Sequence, residues 1–372
     1  MQDLIIPASR PDITEVERQA VLEVLESPIL SMGPRLEAFE RALSEYVGVA
    51  HAVGTNSGTS ALHLIVRALG LGAGDEVITT PFSFIASANC LLFEGARPVF
   101  VDIDPESLNL DVDRIETAIT ERTRAILAVD VFGHPADWDE LERLASLYGL
   151  LLIEDSAEAL GARYHGRPAG SFGQAAIFGF YPNKQLTTGE GGVVLTDNAE
   201  LAELCRSLRN QGRAPDDSWL THLRLGYNYR LDELSAALGL AQLSRLDEML
   251  SRREQVAQLY AEKLANIEEV TILRTKPGVW RSWFVYIIQL APGINRTKLM
   301  SYLAQCGVQT RPYFSPIHLQ PFYRERFGYH EGDYPVTENI SRRTLALPFY
   351  NRLSEPEIDY VVRSLKEGIA GG

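Results

Sequence analysis

Cysteine is scarce in this chain. Three residues, Cys90, Cys205 and Cys306, are spread through 372 positions. An odd, widely spaced trio forms neither a disulfide framework nor a cysteine-built zinc site, and it fits a reducing cytoplasm. Long hydrophobic runs are missing too: none approaches the roughly 18 residues of a membrane span. The start, MQDLIIPASRPDITE, lacks the basic head and apolar core of a signal peptide. Positive charge is in deficit. Lys and Arg number 35 against 49 Asp and Glu, a formal net charge of -14. That opposes general attraction to nucleic acid, whose phosphates need a basic face. A small anionic ligand is not excluded, because a few local cations and backbone N–H groups suffice to hold it.

What is present is an ordinary globular composition, 45% hydrophobic and 23% charged, long enough for a large domain plus a smaller one. TEVERQAVLEVLES predicts a helix with Thr14 as cap and Glu17 three residues on. GPRLEAFERALSEYVG predicts a second, opened by Pro34 and stopped by Gly48. From about residue 50 strands and helices alternate: AVGT, SALHLIVRALG, DEVITT, FIASANCLLFEG, PVFVDID, VDRIETAIT, RAILAVDVF, DWDELERLASLYG, LLLIEDS. Such alternation indicates parallel crossover units and an α/β layered domain. AAIFGF and GGVVLTD add two strands. After RLDELSAALGLAQLSRLDEMLSRREQVAQLYAEKLA, read as one long helical stretch, the character changes to a smaller α+β unit. The expected division is 1–250 and 251–372.

Ligands of such sheets sit beyond the carboxyl ends of the strands. Three segments lie there. GTNSGTS, residues 54–60, places Ser57, Gly58, Thr59 and Ser60 where a strand enters a helix, which is an anion cradle or simply a helix cap. It matches neither GxGxxG nor GxxxxGK[ST]. LLLIEDSAEALGA carries Glu154 and Asp155 to a strand end, where a carboxylate can bind a cation, act as acid or base, or cap a helix. No histidine cluster accompanies them, which argues against a metal. FGFYPNKQLTTGEGG sets Lys184 between strand-forming aromatics and glycines, as a solvated loop lysine or as one that meets a ligand.

Taken together, a cradle, a strand-end acid and a strand-end amine suit pyridoxal 5'-phosphate (PLP). That cofactor needs a lysine for its Schiff base, a carboxylate to keep its ring nitrogen protonated, and an anion site for its phosphate. Phe82 and Phe84, in TTPFSFIAS, are candidates for an aromatic face over the ring, or for core.

The same residues carry a resemblance. GPRLEAFE, GTNSGTSALHL, GDEVITTPFSFIASAN, EDSAEALGA, FYPNKQLTTGEGG, LGYNYRLDELSAALGLAQL and FSPIHLQPFY occur in order over nearly the whole chain. The sequence resembles the DegT/StrS-type sugar aminotransferases, PLP enzymes of the aspartate aminotransferase fold (fold type I). The resemblance implies a large, mostly parallel-sheet domain with helices on both faces plus the smaller α+β domain. It places Lys184 on the Schiff-base lysine, Asp155 on the ring-nitrogen acid, Phe84 on the stacking aromatic, and Gly58 and Thr59 on the phosphate cradle. Asn228, in GYNYR, falls on an asparagine that reaches a neighbouring subunit's phosphate site, implying a homodimer with shared sites. Two positions depart from the pattern. Gly179 stands where many relatives carry a serine that holds phosphate. Glu158 stands where Gln or His is common, near the cofactor's phenolic oxygen.

The implied reaction moves an amino group from L-glutamate to a nucleotide-linked keto sugar, most often a 4-keto-6-deoxyhexose, in two ping-pong halves. Arg209, Arg213, Arg230, Arg311 and His318 are the candidate groups for the substrate's diphosphate; residues 209–230 resemble a loop crossing to the partner subunit. His134 is a further strand-end candidate. A 3-keto sugar or cyclitol as acceptor, and a non-catalytic regulatory protein of the same fold, are the alternatives. Sugar 3-dehydratases of the family replace the lysine by histidine, so Lys184 favours transamination.

Overall fold

The computed structural model describes residues 5–214 and 221–371. Two helices come first. In α1 (Glu15–Leu25) the Thr14 cap and Glu17 form the expected reciprocal box; α2 (Pro34–Val47) begins at Pro34 and ends at Gly48 in the left-handed region. A carboxylate from far along the chain also caps α2. Glu233 accepts the N–H groups of Gly33, Arg35 and Leu36, satisfying donors that a helix start leaves without partners.

The alternating region runs β1 (His51–Thr55), α3 (Gly58–Ala68), β2 (Glu76–Thr79), α4 (Ala86–Phe93), β3 (Arg97–Phe100), the short α5 (Ile115–Ala118), β4 (Thr123–Val129), α6 (Trp138–Tyr148) and β5 (Leu151–Asp155). The two-residue β6 (Arg163–Tyr164) and β7 (Arg167–Pro168) form a side ribbon, then β8 (Ala175–Gly179), β9 (Gly192–Thr196) and α7 (Ala199–Arg209) follow. Seven strands make one sheet in the order β1-β9-β8-β5-β4-β2-β3. Only β9 runs against the others. Its link from β8 holds no helix, and a parallel crossover needs one.

Side-chain alternation divides the core into two layers. Ala125, Leu127, Ile153, Ile177 and Val194 pack beneath α3, α4 and α7. Their neighbours point the other way: Ile126, Ala128 and Leu152 meet α6, while Phe178, Val193 and Leu195 meet α2. Helices therefore cover both faces.

The long helical stretch is two helices, α8 (Glu233–Leu243) and α9 (Leu246–Leu264). Arg245 sits at the break and pairs with Glu17 at 2.6 Å. No interruption falls at residue 250, because α9 serves two cores. Leu246, Met249 and Leu250 pack with the large sheet, while Val256, Ala257, Tyr260 and Leu264 pack against a three-stranded antiparallel sheet. That sheet orders β10 (Val270–Ile272), β12 (Tyr286–Leu290) and β13 (Thr344–Leu347); the intervening β11 (Val279–Trp280) joins the ribbon. The helices α10 (Arg296–Gln305) and α11 (Glu355–Ala370) pack there, as does Ile6 from the N-terminal end. Among the described residues no helix is long and apolar enough to cross a membrane.

Candidate active site

A cleft of about 670 Å³ opens at the carboxyl ends of β4, β5 and β8 and at the start of α3, lined among others by Ser57, Thr59, Phe84, Asp155, Glu158 and Lys184. That volume suits a cofactor with part of a substrate. The C-terminal part of the chain closes it with Phe284 and residues 312–315.

Period two decides which strand-end acid serves. Asp155 shares the face of Ile153 and enters the cleft; Glu154 shares the face of Leu152 and turns away. Asp155 is 3% exposed and accepts Ser87 Oγ at 2.6 Å and the Ala157 N–H at 3.1 Å. Burial pushes its carboxyl up, while Ser87, Ala157 and the Lys184 charge pull it down. Ser87 in turn meets Ser83 Oγ at 2.8 Å. This pair, spaced i,i+4 beside α4, went unnoticed in the sequence. Its signal was there, since such spacing stacks two hydroxyls on one side of a turn.

At α3, Ser57 caps the helix by accepting the Ser60 N–H at 3.1 Å. The N–H groups of Gly58 and Thr59 precede the helical ladder and carry its positive end. Glycine is required at position 192, where a Cβ would fall 2.6 Å from the Gly58 nitrogen; one on Gly58 would meet the Gly179 Cα at an ordinary 3.4 Å. Gly189, at φ +84, adopts the left-handed region as the chain returns from Lys184.

Lys184 rides a turn closed by its own N–H to Tyr181 O at 2.9 Å. Its Nζ lies 4.0 Å from the centroid of the Phe284 ring and 3.4 Å from Glu158 Oε1. Phe84, 62% exposed, lines the cleft, whereas Phe82 is fully buried edge-on to Phe132 and Phe314. Phe82 is core.

The structure does not bring the five cation candidates into the cleft lining. Arg209 is buried in an ion pair with Glu40 and also donates to Gly54 O. Arg230 donates to Asn210 Oδ1 at 2.9 Å and Gln211 Oε1 at 3.0 Å. Arg213 is half-buried and bridges through its backbone to His222. Arg311 is exposed, bridged to Ala346. His318 is fully buried against Glu338 at 3.2 Å, and burial pushes its imidazole down. His134 is likewise buried, held down at about 4 by burial, and accepts the Lys276 N–H. Asn228 is exposed, its carbonyl accepting from Asn56 Nδ2. Residues 215–220 of the expected crossing loop lie outside the described residues.

Behind the cleft, Ser156 Oγ lies 2.5 Å from both Asp130 Oδ2 and Glu154 Oε1. One hydroxyl proton serves one oxygen, so the second contact uses a proton held by a carboxyl. Burial pushes Asp130 up to about 6, against the hydrogen bonds of Ser156, Ala136, Glu154 and Trp138, and pushes Glu154 well above its ordinary range, helped by repulsion from Asp130. With folded values above the unfolded ones, this contribution to stability is complete below about 3.8 and lost as pH rises through about 6 and beyond. Thermal melts of the cofactor-free protein should fall across that window. Glu154→Gln should flatten the loss, and an unchanged slope would contradict it.

These residues fit PLP: an open helix start for the phosphate, a buried acid for the ring nitrogen, an amine, and an exposed aromatic face. The fold and site together define a PLP-dependent aminotransferase. The chain belongs to the DegT/DnrJ/EryC1/StrS aminotransferase family, which matches residues 11–366. It is 40% identical to a GDP-perosamine synthase of Caulobacter vibrioides over 97% of this chain and 98% of the other. Among solved structures, PseC of Helicobacter pylori, an aminotransferase involved in the biosynthesis of pseudoaminic acid, superposes with TM-score 0.95 at 31% identity. That match covers 99% of this chain and 100% of PseC. DesV of S. venezuelae gives 0.89 at 37% identity, over 96% and 98% of the two chains. The protein is a sugar aminotransferase of this family.

Proposed function

We propose that the protein moves the amino group of L-glutamate onto a nucleotide-linked keto sugar, an NDP-4-keto-6-deoxyhexose, in two ping-pong halves. The observation that carries this reading is the convergence of Lys184, Asp155 and the α3 start on one cleft. PLP bound there supplies an electron sink for the substrate's Cα electrons. Asp155 would hold a proton at its ring nitrogen, Phe84 would face its ring, and Ser57, Gly58 and Thr59 would hold its phosphate. Lys184 would be its tether and, once freed, the group that moves the proton. A panel of nucleotide keto sugars, scored for glutamate-dependent amination, tests the acceptor. Amination of a 3-keto sugar or a cyclitol alone would replace this reading.

Gly179 bears on the cradle. A Cβ there would meet only Ala157 Cβ at 3.6 Å, an ordinary contact. Gly179→Ser should therefore fold normally and add a hydroxyl at the phosphate end. One hydrogen bond of about 1 kcal/mol corresponds to roughly five-fold tighter cofactor binding. Weaker binding in an equilibrium titration would contradict the placement.

The homodimer also belongs to this reading. Both substrates are anions, yet Lys184 is the sole cationic residue of the cleft lining among the described residues. Exposed Tyr181 lines the same cleft, and the segment that carries Asn228 exposes Leu223 and Leu225, the latter at 76%. A second copy that covers these surfaces with Asn228, Arg213 and Arg230 would supply the missing donors. Sedimentation should give a mass near twice 41.3 kDa; a fully active monomer would end the idea. We also place the enzyme in the cytoplasm, where the buried thiols Cys90 and Cys205 and the third, Cys306, stay unpaired as they are here.

A further inference from the structure

A carboxylate that faces a protonated ring nitrogen must stay ionised in a buried place and still leave the proton on its partner. Burial of Asp155, 3% exposed, works against both, because it favours the neutral acid. What opposes burial lies on a single turn. Ser83 and Ser87 bracket the exposed Phe84, and the Ser87 N–H closes that turn onto Phe84 O at 3.2 Å. Ser87 is 1% exposed and its Oγ lies 2.6 Å from Asp155 Oδ2. Ser83 Oγ stands 2.8 Å from Ser87 Oγ, and both residues line the cleft. The Cys90 thiol donates to Ser87 O at 3.4 Å and steadies it.

Counting protons gives this chain its direction. Ser87 has one, and the contact with Oδ2 uses it, so the bond between the hydroxyls runs from Ser83 to Ser87. Two donors in series thus point at the carboxylate, and each polarises the next. A proton on Oδ2 would reverse both bonds; one on Oδ1 would compete with the Ala157 N–H. Resting on the reading of Asp155 as the ring-nitrogen acid, we propose that Ser83 and Ser87 are positioning residues, a relay that holds Asp155 as an anion and leaves the proton on the cofactor. Ser87 acts on the carboxylate directly, and Ser83 acts through Ser87. One turn then supplies both the aromatic face and the control of charge at the edge of the ring.

The other titratable groups around Asp155 do not make the relay redundant. Lys184 pulls the Asp155 carboxyl down, but its amine is engaged once it tethers the cofactor. Glu158 offers no donor to an anion. Burial pushes its carboxyl up, Lys184 and the Phe132 N–H pull it down, and Asp155 adds to the rise. Cys90 stays a neutral thiol, pushed well up by burial and then by Asp155. Ser87 and the Ala157 N–H are the donors that remain whether or not the cofactor is bound.

Ser87→Ala removes the donor with little volume. Without it the Asp155 carboxyl should hold its proton about tenfold more tightly. Its folded value already lies above 3.8, so the loss of stability with rising pH should continue for about one further pH unit. In melts of the cofactor-free protein, the gap between wild type and Ser87→Ala should therefore widen between about pH 4 and pH 8. With Asn at position 155 in both partners of the comparison, the gap should be the same at every pH. A constant gap with Asp155 present, or equal widening with Asp155→Asn, would overturn the proposal, since a packing defect alone behaves that way. Should Ser87→Ala not fold, Ser83→Ala carries the test with a smaller widening of the same sign, and a flat gap there sinks the idea. In the holoenzyme, magnetic resonance of a cofactor labelled at its ring nitrogen should show that atom less protonated in Ser87→Ala; an unmoved signal also counts against the relay. The melts use no cofactor, so a wrong reading of the site leaves them untouched and shows instead as an unprotonated ring nitrogen in the wild type.

Discussion

Lys184→Ala is expected to abolish transamination, by about 10⁴-fold or more, because one substitution removes both the covalent tether and the base. The side chain sits in a cleft wall, only 14% exposed, and no other lysine among the described residues lines that cleft. Borohydride reduction followed by mass mapping should fix the cofactor to Lys184 in the wild type and to nothing in the variant. Folding should survive. The loop is held by backbone bonds, such as Thr188 N–H to Phe180 O at 3.1 Å, that do not involve the amine. Glu158 is left without its cation in the variant, and a buried carboxyl in that position takes up a proton. Labelling at a different lysine, or activity within tenfold of wild type, would refute the assignment.

Asp155→Asn separates function from stability. The amide keeps an oxygen for Ser87 Oγ yet cannot hold a negative charge opposite a protonated ring nitrogen, and the rate should fall about 10²–10³-fold. Stability should move the other way. Burial raises the Asp155 carboxyl in the folded chain. Its stabilising contribution is therefore present below 3.8 and lost as pH rises through the folded value. Asparagine has no such loss. Without cofactor, the variant should melt at or above the wild type, with a gap that widens as pH increases. A variant that melts lower at every pH would mean that Asp155 serves the fold first.

The sequence alone carried the helix caps, the strand–helix alternation and the strand-end position of the three chemical segments, because these are local effects. Thr14 with Glu17, and Pro34 with Gly48, need only neighbours along the chain. The resemblance added roles for Lys184 and Asp155, and the family match agrees with it. Local patterns failed where partners are remote. Nothing near Glu233 announces that it caps a helix 200 residues earlier, and nothing near Arg245 announces a break paired with Glu17. The arginines read as diphosphate-binding do not line the cleft of their own chain, since charge along a chain does not say which side of a fold it will reach. Tertiary structure alone turned Asp155 inward and Glu154 away, packed Phe82 while leaving Phe84 bare, and set the Glu158 carboxylate against the Lys184 amine. Each of these depends on which surface the opposite side of a strand or turn meets, and that is decided only when the layers close on one another.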